Sequence, residues 1–179
     1  MGKGIKKNRL KGCFAALIGV VLLFGILFGV HLFFITPDVN NLDRGFRQHD
    51  LIGSILNKGD NAYAVNVIED QTELAAMSGD LAVGFGEDPA AHVSSMLTAS
   101  KPATESDIGN YIAMFWFEDI GTTWNAYKNL KSYLKDHADE IFGEDVEVIY
   151  GIHGRCVWYG TENAAAAARR MIWVLYVPK

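Results

Sequence analysis

Tyr111-Ile112-Ala113-Met114-Phe115-Trp116-Phe117 is apolar at seven consecutive positions. Side chains along a strand point alternately to its two faces, so a strand with one wet face alternates apolar with polar residues. An unbroken apolar run of this length is the pattern of a strand covered on both sides. It marks either the middle of a sheet or a strand at an interface.

Toward the C-terminus the apolar period changes from 2 to 3.6. Trp124, Tyr127, Leu130, Leu134 and Ile141 form one stripe of a helix from Thr122 to Phe142, which Gly143 ends. Val146–Ile152 and Arg155–Tyr159 read as two strands of a hairpin joined through His153-Gly154. His153 is read as a turn residue, because histidine is enriched at positive φ. Thr161 caps a helix through Ala164–Ala168, and Arg169 and Arg170 place cations at its negative end. Ile172–Val177 closes as a strand too short to cross a membrane. The order over 111–177 is β-α-β-β-α-β, which resembles the split β-α-β pattern of ferredoxin-like folds. That architecture hosts many functions and implies none of them.

Toward the N-terminus, residues 99–110 read as a polar connector. Before it, Asp88 as N-cap and Pro89 at the first helical position predict a helix carrying Val93, Met96 and Leu97 on one face. Leu81–Phe85 reads as a short strand. Asp70 with Glu73 resembles a capping box at the start of a helix, and Tyr63, Val65 and Val67 alternate as in a half-buried strand. Leu42, Phe46, Ile52, Ile55 and Leu56 suggest short amphipathic helical turns before the Asn57-Lys58-Gly59-Asp60-Asn61 loop.

The first 35 residues have a different character. Cys13–Ile35 contains no Asp, Glu, Lys, Arg or Pro, and its 23 residues would reach roughly 35 Å as a helix, enough for a ~30 Å hydrocarbon layer. A cleavable signal peptide has a shorter apolar core of about 7 to 15 residues and a small-x-small site, whereas Phe33-Phe34-Ile35-Thr36-Pro37 follows here. The segment therefore reads as an uncleaved signal-anchor that spans once. Lys3, Lys6, Lys7, Arg9 and Lys11 precede it, so the N-terminus is expected in the cytoplasm and residues 36–179 outside. No Asn-x-Ser/Thr site lies in the outer part, which favours a bacterial cell surface.

The organisation expected is a basic tail (1–12), a transmembrane anchor (13–35), a stalk or membrane-proximal helix (36–61) and an extracytoplasmic α/β domain (62–179). The fold class is α+β: a spanning helix followed by an α/β sandwich with a ferredoxin-like C-terminal part. Of sixteen basic residues five lie in the tail, so the remaining eleven face all twenty-one acids, an excess of ten negative charges. Such a domain lacks the basic face that phosphate binding needs, which excludes nucleic acid as its partner.

Candidate chemistry is sparse. Asp136, His137 and Glu140, with Asp139, Glu144, Asp145 and Glu147 nearby, are the candidate metal ligands, since carboxylates suit Ca²⁺ or Mg²⁺. Their spacing matches no dedicated loop, and a solvated acidic face is the plainer reading. Ser94 or Ser95 with His137 or His153 lacks a strand-to-helix elbow, and His92 stands apart from any motif. Gly84-Phe85-Gly86-Glu87-Asp88-Pro89 lacks the lysine and third glycine of a phosphate loop, so no cofactor is expected. Cys156, the one cysteine beyond the anchor, reads as a core residue. Trp116, Trp124, Trp158 and Trp173 all fall inside elements, and Trp158 and Tyr159 face opposite ways on their strand. Gly25 and Gly29, one turn apart, form a Gly-x-x-x-Gly strip where a second helix can approach. His31 is read as an interfacial residue near the outer boundary.

The function expected is that of a membrane-anchored binding or accessory module without catalysis. Its partners would be membrane lipid and a second copy or membrane-complex subunit. The alternatives are an anchored hydrolase or metal-dependent enzyme built on residues 136–147 with His137, and a complex subunit that works through its spanning helix.

Overall fold

A computed structural model describes residues 3–49, 51–57, 62–102, 109–143 and 146–174, with the backbone alone for 3–16, 51 and 57. The apolar run at 111–117 lies in strand β3 (Asn110–Phe117), the middle of a five-stranded antiparallel sheet. The other strands are β1 (Ala64–Ile68), β2 (Val93–Lys101), β4 (Val148–His153) and β5 (Cys156–Thr161), in the order β1-β2-β3-β5-β4. Alternation divides β3 between two cores. Ile112, Met114 and Trp116 face one layer, while Ala113, Phe115 and Phe117 face the other. The first layer holds α2 (Val39–Phe46), α3 (Leu51–Asn57) and α7 (Glu162–Trp173). The second holds α4 (Gln71–Phe85), the single turn α5 (Glu87–Ala90) and α6 (Ile120–Phe142). Both faces of β3 are covered, and this is why it carries no polar interruption.

Helix α6 starts at Asp119, whose carboxylate accepts from Gly121 N and Thr122 N, and ends at Gly143. Leu130 and Leu134 are buried beneath it, whereas Trp124 and Ile141 at its two ends are 40% and 47% exposed. Core truncation removes transfer energy and leaves a cavity, so Leu134→Ala should lower stability by about 2 to 5 kcal/mol. Ile141→Ala should stay within about 0.5 kcal/mol. Chemical denaturation in micelles reads both.

Three expectations are corrected. Leu81–Phe85 is the last turn and a half of α4, because the cap at Asp70, accepting from Thr72 N and Glu73 N, launches a helix that runs through to Gly86. Val93, Met96 and Leu97 lie on strand β2, as do Ser94 and Ser95. A β-bulge between Val93 and Ser95 turns Val93 to the same face as Met96, while Leu97 faces the other layer. That combination imitates helical spacing in a strand buried on both sides. The third correction concerns Ile172 and Trp173, which are helical. The stripe Ala164, Ala165, Ala168, Met171 and Ile172 keeps α7 packed on the sheet past the arginines. Residues 175–177 of the expected closing strand lie outside the described residues.

Strands β3 and β4 are both antiparallel to β5, which lies between them, so β3-α6-β4 is a split β-α-β unit. The place on the other side of β3 belongs to β2. The N-terminal helix α1 (Lys3–Phe34) contains the apolar window Leu17–Phe34, of mean hydropathy 2.6, none of it buried inside the structure. It is long and apolar enough to cross a membrane.

Candidate functional site

The lower end of the sheet, where β3 ends and β4 turns into β5, is where α1 joins the domain. The helix leaves its last carbonyls without intrahelical donors. One of them, Leu32 O, accepts from Gly154 N at 2.7 Å, so the β4–β5 turn caps the helix. Arg155 N donates to Thr36 Oγ1 at 3.0 Å, and the indole Nε1 of buried Trp116 donates to Pro37 O at 2.7 Å. The next residue, Asp38, caps α2 by accepting from Asn41 N. Residues 32–41 are thus one continuous hydrogen-bonded passage from α1 into the core.

Ring contacts complete the junction. Trp173, at the end of α7, stacks on His31 with centroids 4.3 Å apart and on Phe28 at 4.9 Å. The edge of His153 meets both His31 and Trp173, at 4.9 and 5.2 Å. Among the described residues, neither ring nitrogen of His31 nor Nε2 of His153 has a hydrogen-bond partner. Burial, with the neighbouring His31 as a second cause, lowers the His153 pKa from 6.5 to about 4, so its imidazole is neutral at physiological pH. His153 is not the turn residue expected. It ends β4 paired with Cys156 at 3% exposure, and the left-handed position is Gly154, at φ +55°. The glycine is needed twice over, since a Cβ there would lie 2.6 Å from Ile35 O and 2.7 Å from Thr36 Cα. His31 stood out in the sequence as the strongly polar residue of the apolar run. Nothing local connected it to residues 153 and 173, which only the fold brings to it.

A second concavity, of about 270 Å³, lies between α4 and α6 above β3 and β5. Leu81, Phe85, Phe115, Leu130, Tyr133 and Tyr159 line it, with Ile141 and Asp80 also present. Burial raises the pKa of Tyr159 well above the usual phenol value, so its hydroxyl stays protonated. Trp158 faces the opposite layer, buried beneath α7, as alternation along β5 requires.

The acidic helix end has no such enclosure. Asp136, Asp139 and Glu140 are exposed on α6, and His137 stacks on Tyr133 with its Nδ1 3.0 Å from the Tyr133 carbonyl. A carbonyl only accepts, so that bond puts the proton on Nδ1. Glu144 and Asp145 lie outside the described residues, among which no three His, Cys, Asp or Glu side chains gather as a metal site would require. Ser94 Oγ donates to the Trp116 carbonyl, and His92 pairs instead with Glu118 at 3.0 Å. Cys156 is fully buried in the α2/α7 layer, and burial raises its pKa, so it is a thiol packed as an apolar residue. A Cβ at Gly25 or Gly29 would meet none of the described residues within 4 Å, so among them this strip of α1 is uncovered. No protein family, curated protein or solved structure matches the chain.

Proposed function

We propose that the protein is a single-pass membrane protein whose α1 is an uncleaved signal-anchor, with the N-terminus in the cytoplasm and the α/β domain outside, on a bacterial cell surface. The domain acts there as a non-catalytic binding or accessory module. The observation that carries this reading is the junction. A leader destined for removal contributes nothing to the mature fold, whereas this helix gives Leu32 O to Gly154 and the His31 and Phe28 rings to Trp173. The five basic residues ahead of the apolar segment support the orientation.

The groove between α4 and α6 is the surface best suited to binding, being concave, mainly apolar and lined in part by Tyr133 and Tyr159. The rival reading, a metal-dependent hydrolase, needs Asp136, His137 and Glu140 to converge. Exposed carboxylates and a histidine committed to Tyr133 speak against it. The uncovered Gly25 and Gly29 favour a helix partner within the membrane, either a second copy or a complex subunit.

A photo-reactive residue placed at Ile141, beside the groove, should give a discrete adduct in intact cells, and one at Glu140, on the acidic face, should give none. Adducts from Glu140 alone, or a C-terminal domain protected from protease added outside the cells, would count against the proposal.

A further inference from the structure

Two exposed apolar patches flank α1 at the base of the domain. On one side, Ile120 and Trp124 are 46% and 40% exposed, and the Trp124 ring meets Phe33 edge-on at 6.2 Å. On the other, Trp173 and Val174 are 37% and 54% exposed, with Trp173 stacked on Phe28. Both phenylalanines belong to the apolar window that ends at Phe34. At about 1.5 Å per residue, Phe28 lies roughly 9 Å inside the end of that window, and Phe33 lies at its edge.

We propose that the base of the domain is itself a bilayer contact, with Trp173 and Val174 inserted beside α1 and with Ile120 and Trp124 resting at the headgroup boundary. The inference rests on the anchoring reading and goes beyond it. A spanning helix followed by a flexible stalk would leave the domain in water, whereas this junction fixes the two patches at the depth of Phe28 and Phe33. Tryptophan suits that position, because its ring is apolar while its N–H can remain in the wet layer. The polar groups nearby are disposed accordingly. Glu118 pairs with His92, and the Asp119 carboxylate, immediately before Ile120, is held by Gly121 N, Thr122 N and Thr122 Oγ1. Arg155 donates to the Glu118 carbonyl. These groups form a polar rim beside the apolar patch.

The tryptophans make the proposal measurable. All four lie between residues 116 and 173 and none in α1, so indole fluorescence reports on the domain alone. The full chain is reconstituted in phosphatidylcholine vesicles whose acyl chains carry bromine at a shallow or a deep position. Retention after alkaline carbonate washing reads the anchor independently. The expected result is retention together with quenching that Trp124→Phe reduces for shallow bromine and Trp173→Phe reduces for both depths. Trp116 and Trp158, buried at 6% and 5% exposure, should stay unquenched in the double variant and report that it is folded. Retention without quenching would overturn the inference and leave the anchor standing, including the case in which a second copy covers the patches. Release by carbonate would overturn both.

Discussion

Gly154→Val should break the seam between α1 and the sheet and lower stability by about 3 to 5 kcal/mol. Gly154 sits at φ +55°, where a residue with a Cβ incurs roughly 1 to 2 kcal/mol and a β-branched one more. The added carbons would also collide with the backbone at Ile35 and Thr36, and overpacking of that kind typically costs about 1 to 3 kcal/mol. Relief by moving the turn would sacrifice the Gly154–Leu32 hydrogen bond, worth about 1 kcal/mol, and leave Leu32 O bare. Gly143→Ala is the control. Its φ of +96° with ψ of 152° lies in a region that side chains avoid even more strictly, yet no described residue lies within 4 Å of the added Cβ, so only the backbone strain of about 1 to 3 kcal/mol remains. Denaturation in micelles measures both variants, and limited proteolysis should cut Gly154→Val, but not Gly143→Ala, between Ile35 and Val39. Equal effects would mean that the end of α1 does not press on the turn.

Acid should loosen the same junction through His153. Its pKa falls from 6.5 to about 4 on folding, so between those values the unfolded chain binds a proton that the folded chain does not. The contribution of a neutral His153 is therefore complete above pH 6.5, declines as the pH drops through 6.5, and is spent near pH 4. The whole loss amounts to at most about 3 kcal/mol. His153→Phe keeps a ring against His31 and Trp173 and removes the titration. Between pH 7 and 4.5 the native protein should lose about 2 kcal/mol more stability than the variant, the acidic residues being common to both. Parallel losses would place His153 in water and contradict the packed junction.

The parts of this fold that were legible in the sequence are those in which local pattern and tertiary environment agree. The apolar run at 111–117 could satisfy its pattern only between two layers, and the helix to Gly143 combined a stripe with a stop. The errors arose where a strand buried on both faces lost its alternation. In β2 a bulge brought Val93 and Met96 to one side, so the residues mimicked a helix. Helix α7 overran its expected end because Met171 and Ile172 continue the alanine stripe, a gain in burial that β-propensity does not weigh.

The candidate site was less legible for a different reason. His31, His153 and Trp173 are separated by more than a hundred and by twenty residues, and their contact depends on strand β4 and helix α7 ending at the same level as α1. Each residue alone had an ordinary explanation. The groove was half visible, in that alternation put Trp158 and Tyr159 on opposite faces, but its other wall was misassigned with Leu81–Phe85.

On the proposed reading α1 is retained as a structural part of the mature protein. The measurement that meets this claim most directly is the intact mass of the protein recovered from the membrane pellet after alkaline carbonate extraction. The pellet should hold a chain in which residues 13–35 are still joined to the domain. A chain found in the supernatant, or one that begins after Ile35, would contradict it.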